Sequence, residues 1–234
     1  AEATMARITV GPLYETLAEF DRGGSPRALL KPLLAESWAE SADHLALTIT
    51  LREGVKFHDG QSLGSKDVKA VVDAILEPSN LTTSMRTVFT DLASVATPDE
   101  RTVVFVWKKA HFLTASSVLT GIPILPASAL KGDFNTLAIN RAPIGTGPFR
   151  FASWEAGKQL TYVRNEDYWG AKAWLAKVAI RIVKDETLAA SLWKRGEFDL
   201  MTRIPPAVWR SIEAPTAANA WAISGYHRAR FVEN

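Results

Sequence analysis

The chain has 234 residues, 47% of them hydrophobic, with 27 basic against 25 acidic side chains and no cysteine. That is enough apolar material for one large domain or two small ones, and the missing thiols exclude a disulfide framework, a thiolate nucleophile and a cysteine-ligated metal. The pI of 8.8 leans basic, but the two signs are interspersed without the Lys/Arg stripe that grips nucleic acid, and no stretch reaches the roughly 20 apolar residues of a membrane span.

Met5, Ile8, Leu13, Leu17 and Phe20 recur at roughly helical spacing and predict a helix that begins or kinks at Pro12 and ends at Gly23-Gly24. The chain opens at Ala1 with neither an initiator Met nor a signal peptide, so it reads as a processed or excised piece. Arg27 to Ser41 reads as a short apolar connector. Leu45, Leu47, Ile49 and Leu51 then alternate with Ala46, Thr48 and Thr50, the period of a half-buried strand.

"LREGVKFHDGQSLGSKDV", Leu51 to Val68, sets Gly54, Gly60 and Gly64 around the pair His58 and Asp59. A histidine beside an aspartate fits a catalytic or metal site. A metal needs further ligands, however, and His44, His111 and His227 lie scattered without ligand spacing. The tight-turn reading is favoured: Asp59-Gly60 supplies a position with φ > 0, and Val55 and Phe57 return an apolar face to the sheet. Ser65 is the expected N-cap of a helix carrying Val68, Val71, Val72 and Ile75. Pro98 to Glu100 is a turn, and Arg101 to Trp107 a second strand rich in β-branched and aromatic residues.

From Asn140 the pattern changes. Pro143, Gly145, Gly147 and Pro148 crowd one rigid turn, which lacks the Lys and Ser/Thr of a phosphate loop. Strands at Phe149 to Phe151 and Leu160 to Val163 flank a hairpin through Glu155-Ala156-Gly157, and an aromatic turn follows at Tyr168-Trp169-Gly170. Val178 to Val183 alternates as a strand, and Asp185 to Asp199 reads as an N-capped helix closed by Gly196. A helix near Val208 to Ile212 and a strand at Ala220 to Ser224 end the series. Alternating helices and strands imply an α/β domain, and the hairpin-rich middle a more antiparallel lobe. Asp59, Glu155 and Asp167 each sit in a turn, with no nucleophile paired to a base, so nothing here points to an enzyme.

Taken in order, LAESW, LR-x-GVKFHDG, DV, GTGPF, RN-x-DYWG and G-x-x-D resemble extracellular solute-binding protein family 5, a likeness that spans nearly the whole chain from about Tyr14 onward. These are the oligopeptide-, dipeptide- and nickel-binding proteins of ABC importers. The resemblance implies an α/β fold: a periplasmic-binding-protein-like (type II) lobe with a mixed sheet and an inserted, hairpin-rich α+β subdomain. It implies that residues 1–33 start lobe I without its N-terminal strand and that residues 34–138 form the extra subdomain. Residues 139–234 would then be the core of lobe I up to the hinge crossing, with lobe II absent.

The function so implied is capture of a small solute between two lobes for a membrane permease, outside the cytoplasmic membrane. The solute expected first is a peptide, with a nickel chelate or a sugar as alternatives. No cofactor and no nucleic-acid partner are expected, and a solute-sensing domain is the rival reading. The resemblance makes Trp38, Phe57, Asp59, Gly145, Gly147, Phe149, Tyr168 and Trp169 mostly scaffold. It sets Ser84 to Phe89 and Ser116 to Pro123 at the cleft mouth, with Met85, Arg86, Phe89, Leu119, Thr120 and Gly121 as ligand-facing candidates. In that role Arg86 pairs with a carboxylate, Phe89 stacks, and Thr120 and Gly121 donate hydrogen bonds; the competing role for Arg86 is a solvated surface arginine.

Overall fold

Alternation in the sequence becomes a sheet. In the computed structural model, which describes residues 11–21, 29–80, 82–110, 114–132, 136–201, 223–225 and 228–230, four strands order as β3-β4-β6-β5: β3 (Ala35–Glu40), β4 (Ala46–Leu51), β5 (Leu92–Ala96) and β6 (Thr102–Trp107). Every neighbouring pair is antiparallel. One face of the central strands, Leu47, Ile49 and Leu51 of β4 with Val103, Phe105 and Trp107 of β6, is buried. Against it packs α1 (Ser65–Leu76) through Val68, Val71, Val72 and Ile75. Each such side chain contributes about 1.5–3 kcal/mol on burial, so the set as a whole holds the helix to the sheet.

Ser65 is the first helical residue rather than the cap. Gly64 occupies the N-cap in extended conformation, because the Ser65 hydroxyl donates instead to Asp99 O at 2.5 Å. The cap function passes to Asp67. Its carboxylate accepts from Gly64 N at 2.8 Å and from Ala127 N at 2.8 Å, tying the start of α1 to the 3-10 turn Ala127–Leu130.

The predicted connector is in fact two strands, β2 (Leu30–Pro32) and β3. The predicted helix through Leu13, Leu17 and Phe20 is an extended strap ending in β1 (Ala18–Phe20), which pairs antiparallel with β2; residues 1–10 and 22–28 lie outside the described residues. The strap's carbonyls find partners in distant segments: Leu13 O accepts from Gly147 N, Glu15 O from Ile124 N, and Leu17 O from Leu33 N and Ala35 N. A helix would have spent those groups internally.

The two stretches that the resemblance sets at the cleft mouth are helical. α2 (Thr83–Arg86) runs into the 3-10 turn Thr87–Phe89, and α3 spans Thr114–Gly121. Downstream, β7 (Phe149–Glu155), β8 (Gln159–Arg164) and β9 (Lys177–Arg181) form a sheet with β8 central. α4 (Glu186–Lys194) has Asp185 as its N-cap, accepting from Leu188 N at 2.8 Å, as the sequence predicts. A last hairpin pairs β10 (Ile223–Gly225) with β11 (Arg228–Arg230). The helix expected near Val208 lies outside the described residues. The chain divides into two compact units, residues 1–154 with 160–180 and residues 155–159 with 181–234.

Candidate functional site

The His58-Asp59-Gly60 stretch is a turn. Gly60 holds φ +88°, its N–H donates to Phe57 O at 2.9 Å, and Asp59 Oδ1 accepts from Gln61 N at 3.1 Å. Val55 and Phe57 are buried beside it, as expected. Among the described residues no group of three or more His, Asp or Glu is placed to hold a metal.

The turn does more than reverse the chain. His58 N donates to Gly145 O at 2.8 Å, His58 Nδ1 accepts from Gly145 N at 3.1 Å, and Nε2 lies 3.0 Å from Gly147 O. Burial, the largest influence, pulls the imidazole pKa below its ordinary value, aided by Arg150 and opposed by Gly147 O and Asp59. The Gly145–Gly147 loop in turn grips the strap. Gly147 N donates to Leu13 O at 2.9 Å and Phe149 N to Pro12 O at 3.2 Å. A Cβ on Gly147 would meet Pro12 O at 2.5 Å, and one on Gly145 would collide with Leu13 O. Neither glycine has a left-handed φ; both are glycine because two backbones touch there.

Glu15, in the strap, is 6% exposed. Its carboxylate accepts from Tyr168 Oη at 2.6 Å and from Trp169 Nε1 at 2.9 Å. Burial raises its pKa, and these two bonds oppose the rise. The Tyr168 phenol is driven far above its ordinary range, first by burial and then by its bond to Glu15. Arg52 stacks over the Trp169 ring at 4.8 Å, so the aromatic turn is held from both sides.

Strap and aromatic turn together wall a cavity of about 860 Å³, lined by Tyr14, Glu15, Thr16, Glu19, Phe20, Asp21, Lys31, Leu33, Thr120, Pro148 and Tyr168 among others. The volume suits a small organic solute. Phe20 offers an apolar surface, 47% exposed, and the Glu19–Lys31 pair at 3.6 Å is open to water, where such pairs hold loosely.

Of the six ligand-facing candidates only Thr120 lines this cavity; its hydroxyl donates to Ser116 O at 2.8 Å within α3. Arg86 is a correction. Its Nε donates to Ile75 O at 2.9 Å and its Nη2 to the carbonyls of Glu77, Pro78 and Asn80, so the fork expected to hold a solute carboxylate instead closes the C-terminal end of α1. Phe89 is buried and stacked on Phe105 with centroids 6.5 Å apart, and Leu119 is fully buried; both fill the core beneath the sheet. Met85 packs half-buried against the same core. Gly121 is exposed at the end of α3 with open space around its Cα. The residues that sequence reasoning missed are Tyr14, Glu15 and Phe20. Their signal was a glutamate inside the apolar run "PLYETLAEF", a charge whose burial requires partners.

The profile of the bacterial extracellular solute-binding proteins, family 5 (Middle), matches residues 30–231. Di/tripeptide-binding protein 2 of Pseudomonas aeruginosa is 32% identical over 214 residues, covering 80% of this chain and 38% of that protein. NikZ from Campylobacter jejuni, crystallised in complex with Ni(L-His), superposes with a TM-score of 0.73 at 31% identity over 80% of this chain and 37% of its own. The periplasmic binding protein DppA from Helicobacter pylori, in complex with the peptide STSA, gives a TM-score of 0.77 at 26% identity over 88% of this chain and 44% of its own. The chain therefore spans less than half the length of these relatives, and its fold is the α/β periplasmic-binding-protein type that the motifs imply. With the profile covering most of the chain in sequence and the solved relatives following it in space, the chain belongs to the bacterial extracellular solute-binding proteins, family 5.

Proposed function

We propose that this chain is part of the substrate-binding component of an ABC importer, holding a small solute, a peptide first, for delivery to a membrane permease from the outer side of the cytoplasmic membrane. Family membership over residues 30–231 carries the reading. The cavity beside Glu15 and Tyr168 supports it, since its volume of about 860 Å³ accommodates a short peptide or a chelate. In this reading residues 34–138 are the extra subdomain, and residues 1–33 and 139–234 belong to the lobe that offers one face of the solute cleft. Tyr14, Phe20 and Thr120 contact the solute, while Met85, Phe89 and Leu119 belong to the core and Arg86 to the end of α1.

Binding of this kind closes two lobes around a ligand, with contacts on both faces driving the hinge. The protein acts by capture, without covalent chemistry. Native mass spectrometry of the full-length protein, purified without denaturation, tests this directly: a co-purifying small molecule displaced by di- to pentapeptides is the expected result. A folded full-length protein that binds nothing in isothermal titration against peptide, nickel-chelate and sugar panels overturns it.

A further inference from the structure

The His58 ring has partners at both nitrogens, and they are of opposite polarity. Gly145 N–H is a donor facing Nδ1 at 3.1 Å, and the Gly147 carbonyl is an acceptor facing Nε2 at 3.0 Å. Only the neutral imidazole with its proton on Nε2 satisfies both. The Gly147 carbonyl also accepts from Asn165 Nδ2 at 3.1 Å, so it stays paired if the ring turns away. Among the described residues Gly145 N–H faces His58 alone.

We propose that His58 is a proton-operated latch on the cavity wall: a proton added at Nδ1 sets a second donor against the Gly145 N–H and loosens the ring's hold on the Gly145–Gly147 loop, leaving the backbone bond from His58 N to Gly145 O in place. The loosening reaches the cavity through the backbone. The loop holds the strap by the bonds from Gly147 N to Leu13 O and from Phe149 N to Pro12 O, and the strap carries Tyr14, Glu15, Phe20 and Asp21 of the lining. Acidification thus loosens the wall that faces the solute.

The charges around the ring set where this happens. Asp59, on the same turn, favours the imidazolium; Arg150, on β7, disfavours it, and burial disfavours it most. Arg150 is fixed in place by Asn165 Oδ1 at 2.9 Å and Asp167 Oδ2 at 2.6 Å. The latch accordingly stays shut at neutral pH and opens below the ordinary histidine range.

Nuclear magnetic resonance of the 234-residue chain tests the latch without any solute, so its outcome is separate from that of the import reading. Two-bond proton–nitrogen correlations of the imidazole report tautomer and midpoint, and amide exchange, corrected for its intrinsic pH dependence, reports the loop. The expected result is the Nε2–H tautomer at about pH 7.5 and a midpoint below about 6.5. Loop protection at Gly145 should fall about tenfold for each unit by which that midpoint lies below 6.5, while Ile49 and Phe105 in the sheet keep theirs. In His58→Gln the pH dependence at Gly145 should vanish. An Nδ1–H tautomer, or Gly145 protection that does not follow the His58 midpoint in the unaltered chain, overturns the proposal whether or not the variant folds.

Discussion

Tyr168 donates its hydroxyl to Glu15 across 2.6 Å, joining positions 153 apart in the sequence. The bond lies where the strap meets the aromatic turn, and Trp169 Nε1 donates to the other oxygen of the same buried carboxylate. Tyr168→Phe should therefore lower stability by about 1–3 kcal/mol, the cost of stripping a donor from a buried acceptor. Urea unfolding at neutral pH reads this as a lower midpoint at unchanged slope. A midpoint equal to that of the unaltered chain contradicts a structural role for this bond.

Glu15 and His58 give stability opposite dependences on pH. The Glu15 pKa is raised in the fold, so its contribution is full below the ordinary value of 4.5 and is lost as pH rises through the folded value. The His58 pKa is lowered, so its contribution is full above the ordinary 6.5 and is lost as pH falls from there through the folded value. Unfolding free energies measured from about pH 4 to pH 8 should show Glu15→Gln removing the first loss and His58→Gln removing the second. Flat difference curves for both variants rule out the assignment.

Arg86→Met should weaken the fold and spare binding. The side chain closes the end of α1 through four backbone carbonyls, and their loss should cost about 1–3 kcal/mol. Solute affinity of the full-length protein should change by less than about threefold, under 1 kcal/mol. A tenfold loss of affinity with the fold intact by circular dichroism would restore Arg86 to the solute.

Three glycines separate three reasons for being glycine. Gly145→Ala drives a methyl into the Leu13 backbone and should cost about 1–3 kcal/mol or more through overpacking. Gly60→Val, at φ +88°, should cost about 1–3 kcal/mol through backbone strain. Gly121→Ala meets open space in a helix and should be neutral or gain up to about 1 kcal/mol. Thermal unfolding ranks all three, and Gly145→Ala melting no lower than Gly121→Ala would refute the close-approach account.

Where the structure is local, the sequence announced it. Alternation over Leu45 to Leu51 marks β4, the β-branched and aromatic run over Arg101 to Trp107 marks β6, and Asp185 with Gly196 brackets α4 because caps are written within a few residues of the helix they serve. The reading failed where backbone partners come from afar. Leu13 and Leu17 keep helical spacing, yet Gly147, Leu33 and Ala35 claim their carbonyls. The same distance hid the candidate site: nothing within ten residues of Glu15 tells that Tyr168 and Trp169 will cover it. Arg86 looked free because a guanidinium that pairs with main-chain carbonyls leaves no complementary charge in the sequence to find.

The separation between strap and clasp also dictates an order of assembly. The sheet pairs β3 with β4 and β5 with β6 across short connections, contacts that close quickly because little chain entropy is spent on them. The strap must wait for Gly147, Tyr168 and Trp169, so during synthesis Glu15 stays without its donors until the ribosome has delivered residues more than 150 positions later. An unclasped strap is therefore an obligatory stage in the life of every nascent copy. Until then the strap rests on its pairing with β2 and on its bonds to Leu33, Ala35 and Ile124.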